Sequence, residues 1–419
     1  LSKIKILTLS DHPLSPSGVG TQTKYFCESL LKTGRYSIVS LGGAMKHRDY
    51  RPVNVEPYNE DWKIIPIDGF GTKEMIRSII RNEKIDLVWF MTDPRFWGWL
   101  WEIENEIRPL CPMVYHHVWD NYPYPQYNRD SYLSNDHIVT ISKVTDDIVK
   151  TVAPEVDSTY LPHSVDSEIF KPLSDEEVAE IKRTSLEPED LSKVIFFWNN
   201  RNARRKQSGS LIFWFKEWVD NNNLKDKVQL IMHTDPTDQH GQDLAHIIDH
   251  LGIEREVLLS TQKVHAAQLS AIYNLADCTI NISDAEGFGL ATLESLSCGT
   301  PIIATLTGGL QEQVGNGKRW FGVGIEPSAK SVIGSQSVPY IYEDRISKKD
   351  FHKALSKIYN MSPDKRKKLG SDGRAHVLKN YNFEKLQQKW IEVIDKIVEE
   401  EGSWETRKNY NGIRFKEVA

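Results

Sequence analysis

Residues Asn281 to Gln313 read NISDAEGFGLATLESLSCGTPIIATLTGGLQEQ, and this stretch decides the fold. The apolar run Cys278 to Ile282 has the length and composition of a short buried strand, and it leads into a polar loop at Ser283 and Asp284. The loop carries Glu286 and then Gly287-Phe288-Gly289. Two glycines so close let the backbone approach a ligand with its amides pointing outward. From Leu290 to Ser297 the apolar residues fall at helical spacing, so the loop sits at a helix N-terminus. Unsatisfied N–H groups and the helix dipole favour an anion there. Gly299 and Pro301 stop the helix, and Pro301 to Thr305 predicts the next strand. Glu294 rides on that helix.

A G-x-G at a strand–helix junction is by itself most often a tight turn, and helix glutamates are mostly solvated. The longer phrase is more specific. Glu286 and Glu294 form an E-x7-E with Gly-Phe-Gly after the first acid, followed by S-x-x-C-G-T-P-I-I-A-T and a G-G-x-x-E. This resembles the donor-sugar motif of the retaining glycosyltransferases of family 4. The resemblance implies an α/β chain with the GT-B fold, two Rossmann-like domains with parallel sheets facing across a cleft. It also implies a UDP- or GDP-linked nucleotide-diphosphate sugar as co-substrate, with no other cofactor.

Length and composition agree with two domains. A chain of 419 residues exceeds one ordinary core, and 39% hydrophobic with 26% charged residues is a soluble globular balance. A net charge of −6 gives no pull toward nucleic acid, which disfavours a nucleic-acid acceptor. No apolar run reaches the roughly 18 residues of a transmembrane helix, and LSKIKILTLSDH reads as a strand rather than a signal peptide. Cys27, Cys111, Cys278 and Cys298 lack C-x-x-C spacing, so they read as reduced packing residues in a cytoplasmic protein.

Outward from the central stretch, apolar runs and helical patterns alternate. Strands are expected at Ile4–Leu9, Tyr36–Leu41, Lys63–Ile67, Ile85–Met91, Pro112–His117 and Ile138–Ile141, with helices between them at Thr21–Leu31, Lys73–Arg81, Arg95–Ile107 and Ser142–Val152. A second set begins at Val194–Trp198 and continues with Val228–Met232, Val257–Leu259 and, past the central stretch, a short strand Val338–Ile341. Gly315–Ser337 reads as glycine-rich and irregular, and helices follow at Lys348–Tyr359, Pro363–Lys379 and Phe383–Glu400. The phrase Pro162-His163-Ser164-Val165-Asp166 resembles the family's linker, with His163-Ser164 in place of Asn-Gly. Three parts are therefore expected: an acceptor domain over 1–165, a donor domain over 166–385, and a helix and tail over 386–419 packing back on the first domain. After Gly402 no periodicity assigns the tail.

The resemblance distributes roles over these residues. Gly18 and Gly20, in the loop after the first strand, match the family's glycines near the donor diphosphate, although Ser17 replaces the first glycine; a flexible turn is the alternative. Arg201 and Lys206 have the spacing of the family's diphosphate-gripping pair, while Arg204 and Arg205 are extra cations that suit an acceptor or a solvated face. Val264 falls where the family holds the nucleotide base. Glu286 would touch the donor sugar, the amides of Gly287, Phe288, Gly289 and Leu290 the sugar and phosphate, and Glu294 the ribose. His117, with His116 beside it, stands where the family often places a histidine near the donor sugar; the alternative is a histidine packed at a strand end.

Trp97, Trp99, Trp101, Trp119, Tyr122, Tyr124 and Tyr127 make a dense aromatic set. Aromatic faces stack on the C–H faces of sugars, which makes the set a candidate acceptor platform, with core packing as the competing reading. The function implied is metal-independent, retaining hexosyl or pentosyl transfer to a hydroxyl of a glycan, lipid or other acceptor. A GT-B epimerase or phosphorylase, or a non-catalytic sugar-nucleotide-binding protein, are the alternatives.

Overall fold

Two successive runs of buried strands and amphipathic helices build two units, and the computed structural model describes residues 3–410 of them. The first unit comprises the chain up to His163, Gly334–Tyr340, and Glu384 onward; the second comprises Ser164–Ile333 and Ile341–Phe383. The segment Gly334–Tyr340, inside the expected donor domain by number, thus groups with the first unit.

In the first unit the strands are β1 (Ile4–Asp11), β2 (Tyr36–Gly43), β3 (Val53–Val55), β4 (Asn59–Pro66), β5 (Leu87–Thr92), β6 (Met113–His117), β7 (His137–Thr140) and β8 (Ser158–Tyr160). Their order is β3-β4-β2-β1-β5-β6-β7-β8, parallel throughout except that β3 runs antiparallel beside β4. Every residue of β5, β6 and β7 is buried, as a sheet covered on both faces requires. β3 and β8 were not expected, because VNV and STY are too short and too polar to signal a strand. The helix expected over Arg95–Ile107 is broken into a 3-10 turn at Pro94–Phe96 and two short helices, Gly98–Trp101 and Glu104–Ile107. Gly98 weakens a continuous helix, and Trp97 and Trp101 turn into the core.

The second unit contains β9 (Val194–Asn199), β10 (Val228–His233), β11 (Val257–Ser260), β12 (Cys278–Asn281), β13 (Ile302–Thr305) and β14 (Gly322–Ile325). They form a fully parallel sheet in the order β11-β10-β9-β12-β13-β14. Phe196, Trp198, Leu211, Phe215, Trp218, Leu230, Ile280 and Phe351 fill its core. A two-stranded antiparallel sheet follows, β15 (Ala329–Ile333) with β16 (Ile341–Arg345). Two expectations are corrected here. The irregular stretch Gly315–Ser337 holds β14 and β15, and the strand expected at Val338–Ile341 runs from Ile341 to Arg345. Gly322 explains the first error: a Cβ there would stand 1.8 Å from the Ile302 carbonyl oxygen, so this glycine marks a close strand pairing and not a loop.

The acidic segment after the linker carries a helix, Asp175–Ser185, with a capping box between Ser174 and Glu177. All four cysteines are buried and unpaired. As far as residue 410 the tail lies on the first unit: the Trp404 indole donates to the Ile85 carbonyl at 3.0 Å, and Arg407 meets the Asp136 carboxylate at 2.7 Å. Residues 411–419 of the expected tail lie outside the described residues.

Candidate active site

The strand order of the second unit reverses direction between β9 and β12, which makes their carboxyl ends the switch point where open parallel sheets bind ligands. Two loops leave from there, Asn200–Gln207 after β9 and Ile282–Gly289 after β12. Asn281 bends the second loop by accepting from the Ser283 amide at 3.2 Å, and the Asp284 amide donates to the Arg205 carbonyl at 2.8 Å, tying loop to loop. This brings Lys206 and Glu286 together. Their ammonium and carboxylate are hydrogen-bonded, and the side chains are only 8% and 12% exposed. Arg205 donates to the Ala285 carbonyl at 2.5 Å and stands 3.9 Å from Glu286. Burial pushes the Glu286 carboxyl up, but Lys206 and Arg205 outweigh it and hold the group below its ordinary value, hence ionised.

Gly289 opens the helix Leu290–Ser297 in the left-handed region, at φ +93°, where a side chain would strike Leu310. The first amides of that helix have no acceptor within it. The second half of the sequence phrase buttresses this loop: the Gly309 amide donates to the Glu286 carbonyl at 3.1 Å, and Gln313 donates to the Phe288 carbonyl at 2.7 Å. The Phe288 ring is buried edge-on to Tyr381, so its side chain packs the loop. One turn into the helix, Glu294 accepts from the Tyr273 hydroxyl at 2.7 Å, and Asn199 donates to that same hydroxyl at 2.8 Å. Burial drives the Glu294 carboxyl up to about 7, against the opposing pull of the Tyr273 hydrogen bond.

Arg201 is placed differently from Lys206. Its side chain is 60% exposed and held by Asp238 at 2.6 Å, with His240 at 2.7 Å. The Arg204 guanidinium pairs with Glu343 of β16; Arg345 meets the same carboxylate at 2.7 Å and Asp284 at 3.3 Å. Burial raises the Asp284 carboxyl to about 6 in spite of Gln207 and Arg345. Val264 is half-buried in the loop four positions past β11, on the same carboxyl edge. Asp238, Tyr273, Asn199, Glu343 and Arg345 were missed by sequence reasoning. Only Asn199, a polar residue closing the apolar strand VIFFWN, gave a signal.

In the first unit, Gly18 opens the helix Gly18–Leu31, three residues before the expected start, because Ser17 caps it: the Gly20 amide donates to Ser17 Oγ at 2.9 Å. Ser17 in turn donates to Asp11 at 2.6 Å. His117, expected either near the donor sugar or packed at a strand end, packs at the end of β6. Its ring is fully buried, with Nδ1 3.0 Å from the Tyr115 hydroxyl and Nε2 2.7 Å from that of Tyr132, and burial pushes it down to about 3. His116 is buried beside it. Trp97, Trp101 and Trp119 are buried too, which removes them from an acceptor platform. Tyr122 and Tyr124 lie outside that core, and both donate to Asp147 at 2.9 Å. Among the described residues no group of three or more His, Cys, Asp or Glu is placed to hold a metal ion. Among them, too, no helix is long and apolar enough to cross a membrane.

The family model described as "Glycosyl transferases group 1" matches residues 222–376. A D-inositol 3-phosphate glycosyltransferase from Arthrobacter sp. (strain FB24) is 30% identical over 114 residues, which is 27% of this chain and 26% of that protein. The chain thus spans about a quarter of that relative's length. Sucrose-phosphate synthase from Thermosynechococcus elongatus has a similar structure, with a TM-score of 0.74 at 16% identity, covering 95% of this chain and all of that one. Anabaena HepE, solved in complex with UDP and glucose, gives a TM-score of 0.67 at 16% identity, over 94% of this chain and all of that one. The fold is α/β of the GT-B type, with a parallel sheet in each of two units.

Proposed function

We propose that the chain is a retaining glycosyltransferase that moves a sugar from a UDP- or GDP-linked diphosphate donor to a hydroxyl of a glycan, lipid or other acceptor, without a metal. One observation carries the reading: Lys206 and Glu286 oppose each other at the N-terminus of the helix that bears Glu294. A cation and free helix amides in one place suit a diphosphate leaving group. An ionised carboxylate beside them suits a sugar ring gaining positive character. Glu294, farther along the helix, suits the ribose hydroxyls. As the bond from the anomeric carbon to the phosphate oxygen breaks, the acceptor oxygen bonds that carbon from the same face, and the acceptor proton passes to the departing phosphate oxygen. Lys206 offsets the charge growing on that phosphate.

The likeness to proteins named glycosyltransferases, and to one solved with UDP and glucose, supports a sugar nucleotide as donor. The test is a thermal-shift panel of UDP- and GDP-sugars followed by product analysis with the stabilising donor, since a ligand that binds the folded state raises its stability. Stabilisation with transfer to a hydroxyl, and retained anomeric configuration, is the expected result. Binding without any turnover would identify a non-catalytic nucleotide-sugar binder instead.

A further inference from the structure

We infer that Tyr273 is a positioning residue for Glu294, holding that carboxylate at a fixed distance from the loop that carries Lys206. The inference rests on the reading of Glu294 as the nucleotide-binding acid. Tyr273 lies on the helix Ala266–Leu275 and its side chain is fully buried. Its hydroxyl has two partners, Asn199 Nδ2 at 2.8 Å and Glu294 Oε2 at 2.7 Å. An amide nitrogen can only donate, so the single phenolic proton is directed at the carboxylate. The ring cannot swing away: Phe197 packs edge-on at 5.1 Å and Phe170 at 6.2 Å, and Thr300 donates to the Tyr273 carbonyl at 2.7 Å. Asn199 is the last residue of β9, immediately before the loop to Lys206. One chain of hydrogen bonds therefore joins the end of β9 to the acid on the helix, anchoring one carboxylate oxygen and leaving the other to meet a ribose.

The ionisable groups facing Glu294 are Tyr273 and, one turn along its own helix, Cys298; Arg374 of the helix Pro363–Asn380 faces Cys298 in turn. Burial raises the phenol well above its usual value and the thiol to about 12, so between pH 5 and 9 neither changes charge. Glu294 is the group of this cluster that titrates in that window.

The test follows Glu294 directly by carbon-13 NMR of glutamate-labelled protein, its signal assigned by Glu294→Gln, alongside calorimetric binding of UDP and GDP from pH 5.5 to 9. Tyr273→Phe keeps the ring and removes only the proton donor. It should move the Glu294 titration midpoint upward. It should also weaken nucleotide binding about tenfold near pH 7, the loss shrinking toward pH 9 where the carboxylate is ionised in both proteins. Titration of the nucleotide phosphate is common to both proteins and cancels in the ratio. Asn199→Ala should shift the midpoint the same way by less, and it supplies the result should Tyr273→Phe fold poorly. A midpoint that does not move, or nucleotide affinity left unchanged at every pH, overturns the proposal. If Glu294→Gln itself leaves nucleotide affinity unchanged while the midpoint shift is present, the failure lies with the ribose reading and not with the positioning role.

Discussion

Lys206 and Glu286, 80 residues apart in sequence, are hydrogen-bonded through their charged ends in the second unit. The cation expected at a diphosphate thus holds the acid expected at a sugar ionised. A diphosphate reaching the ammonium would compete with the carboxylate for it, so the same contact bears on stability and on binding.

For stability, removing one partner strands the other in a poorly solvated place. Breaking a fully buried pair costs about 3–5 kcal/mol. These side chains keep roughly a tenth of their surface, so Lys206→Ala should cost on the order of 1–3 kcal/mol. The double variant Lys206→Ala with Glu286→Gln should cost clearly less than the sum of those two single ones. Urea unfolding of all four proteins gives the cycle, and strictly additive losses would contradict the pairing.

For binding, Lys206→Ala should weaken a nucleoside diphosphate by on the order of 1.5–3 kcal/mol and the bare nucleoside far less. Arg201→Ala should cost less than Lys206→Ala, because the Arg201 side chain is solvated whereas that of Lys206 is buried. Calorimetry with UDP, GDP and their nucleosides decides this. Equal losses for diphosphate and nucleoside would sink the assignment of Lys206.

The two acids should separate. Glu286→Gln is expected to lower turnover by at least tenfold, about 1.4 kcal/mol in the barrier, while nucleoside diphosphate affinity stays within a few fold. Glu294→Ala should weaken the free nucleotide and the donor alike. The reverse pattern would exchange the two roles, and normal binding with normal turnover in both would move the active site elsewhere.

Acid should destabilise the first unit. Burial holds His117 and His163 down to about 3, while an unfolded histidine takes up its proton near 6.5. Between those values the unfolded chain binds more protons, so stability falls as pH falls. Taken to pH 5, the two residues together should remove on the order of 2–4 kcal/mol relative to pH 7.5. Hydrogen exchange of first-unit peptides at the two pH values measures it. Equal protection at both would show that these rings are not held neutral.

The charge cluster under the tail supplies a further test. Asp136 receives Arg108 at 3.2 Å and Arg407 at 2.7 Å, and its side chain and that of Arg407 are each 5% exposed. Asp136→Ala takes the shared carboxylate from two guanidinium groups, which keep Glu104 and Glu401 as partners, and should cost on the order of 1–3 kcal/mol. Arg407→Ala should cost less, because Arg108 and Asp136 still pair. Urea unfolding that ranks the two variants the other way would remove Asp136 from the centre of this cluster.

What the sequence could show was what is local. Strand, glycine loop, helix and both acids lie within one stretch from Cys278 to Ser297, and the residue types there specify both the backbone turn and the chemistry. The Lys206–Glu286 pair was not legible, because it depends on β9 and β12 lying side by side, a fact of sheet order and not of spacing. His117 shows the same limit from the other side. A histidine ending a buried strand looks alike whether its nitrogens meet a ligand or, as here, Tyr115 and Tyr132. Gly322 misled for a steric reason, being demanded by a neighbouring strand that the local sequence does not mention. Trp404 and Arg407 gave no periodicity because their anchors, Ile85 and Asp136, are far upstream.

The docking of Arg407 on Asp136 also sets an order of events during synthesis. The two residues are 271 positions apart, so at about 5–20 residues per second the ribosome adds Arg407 roughly 15–55 s after Asp136. Throughout that interval Asp136 lacks the Arg407 guanidinium, and the Ile85 carbonyl lacks the Trp404 indole. The unit begun first is therefore completed last: the second unit has all of its residues, through Phe383, before the first receives its closing contacts.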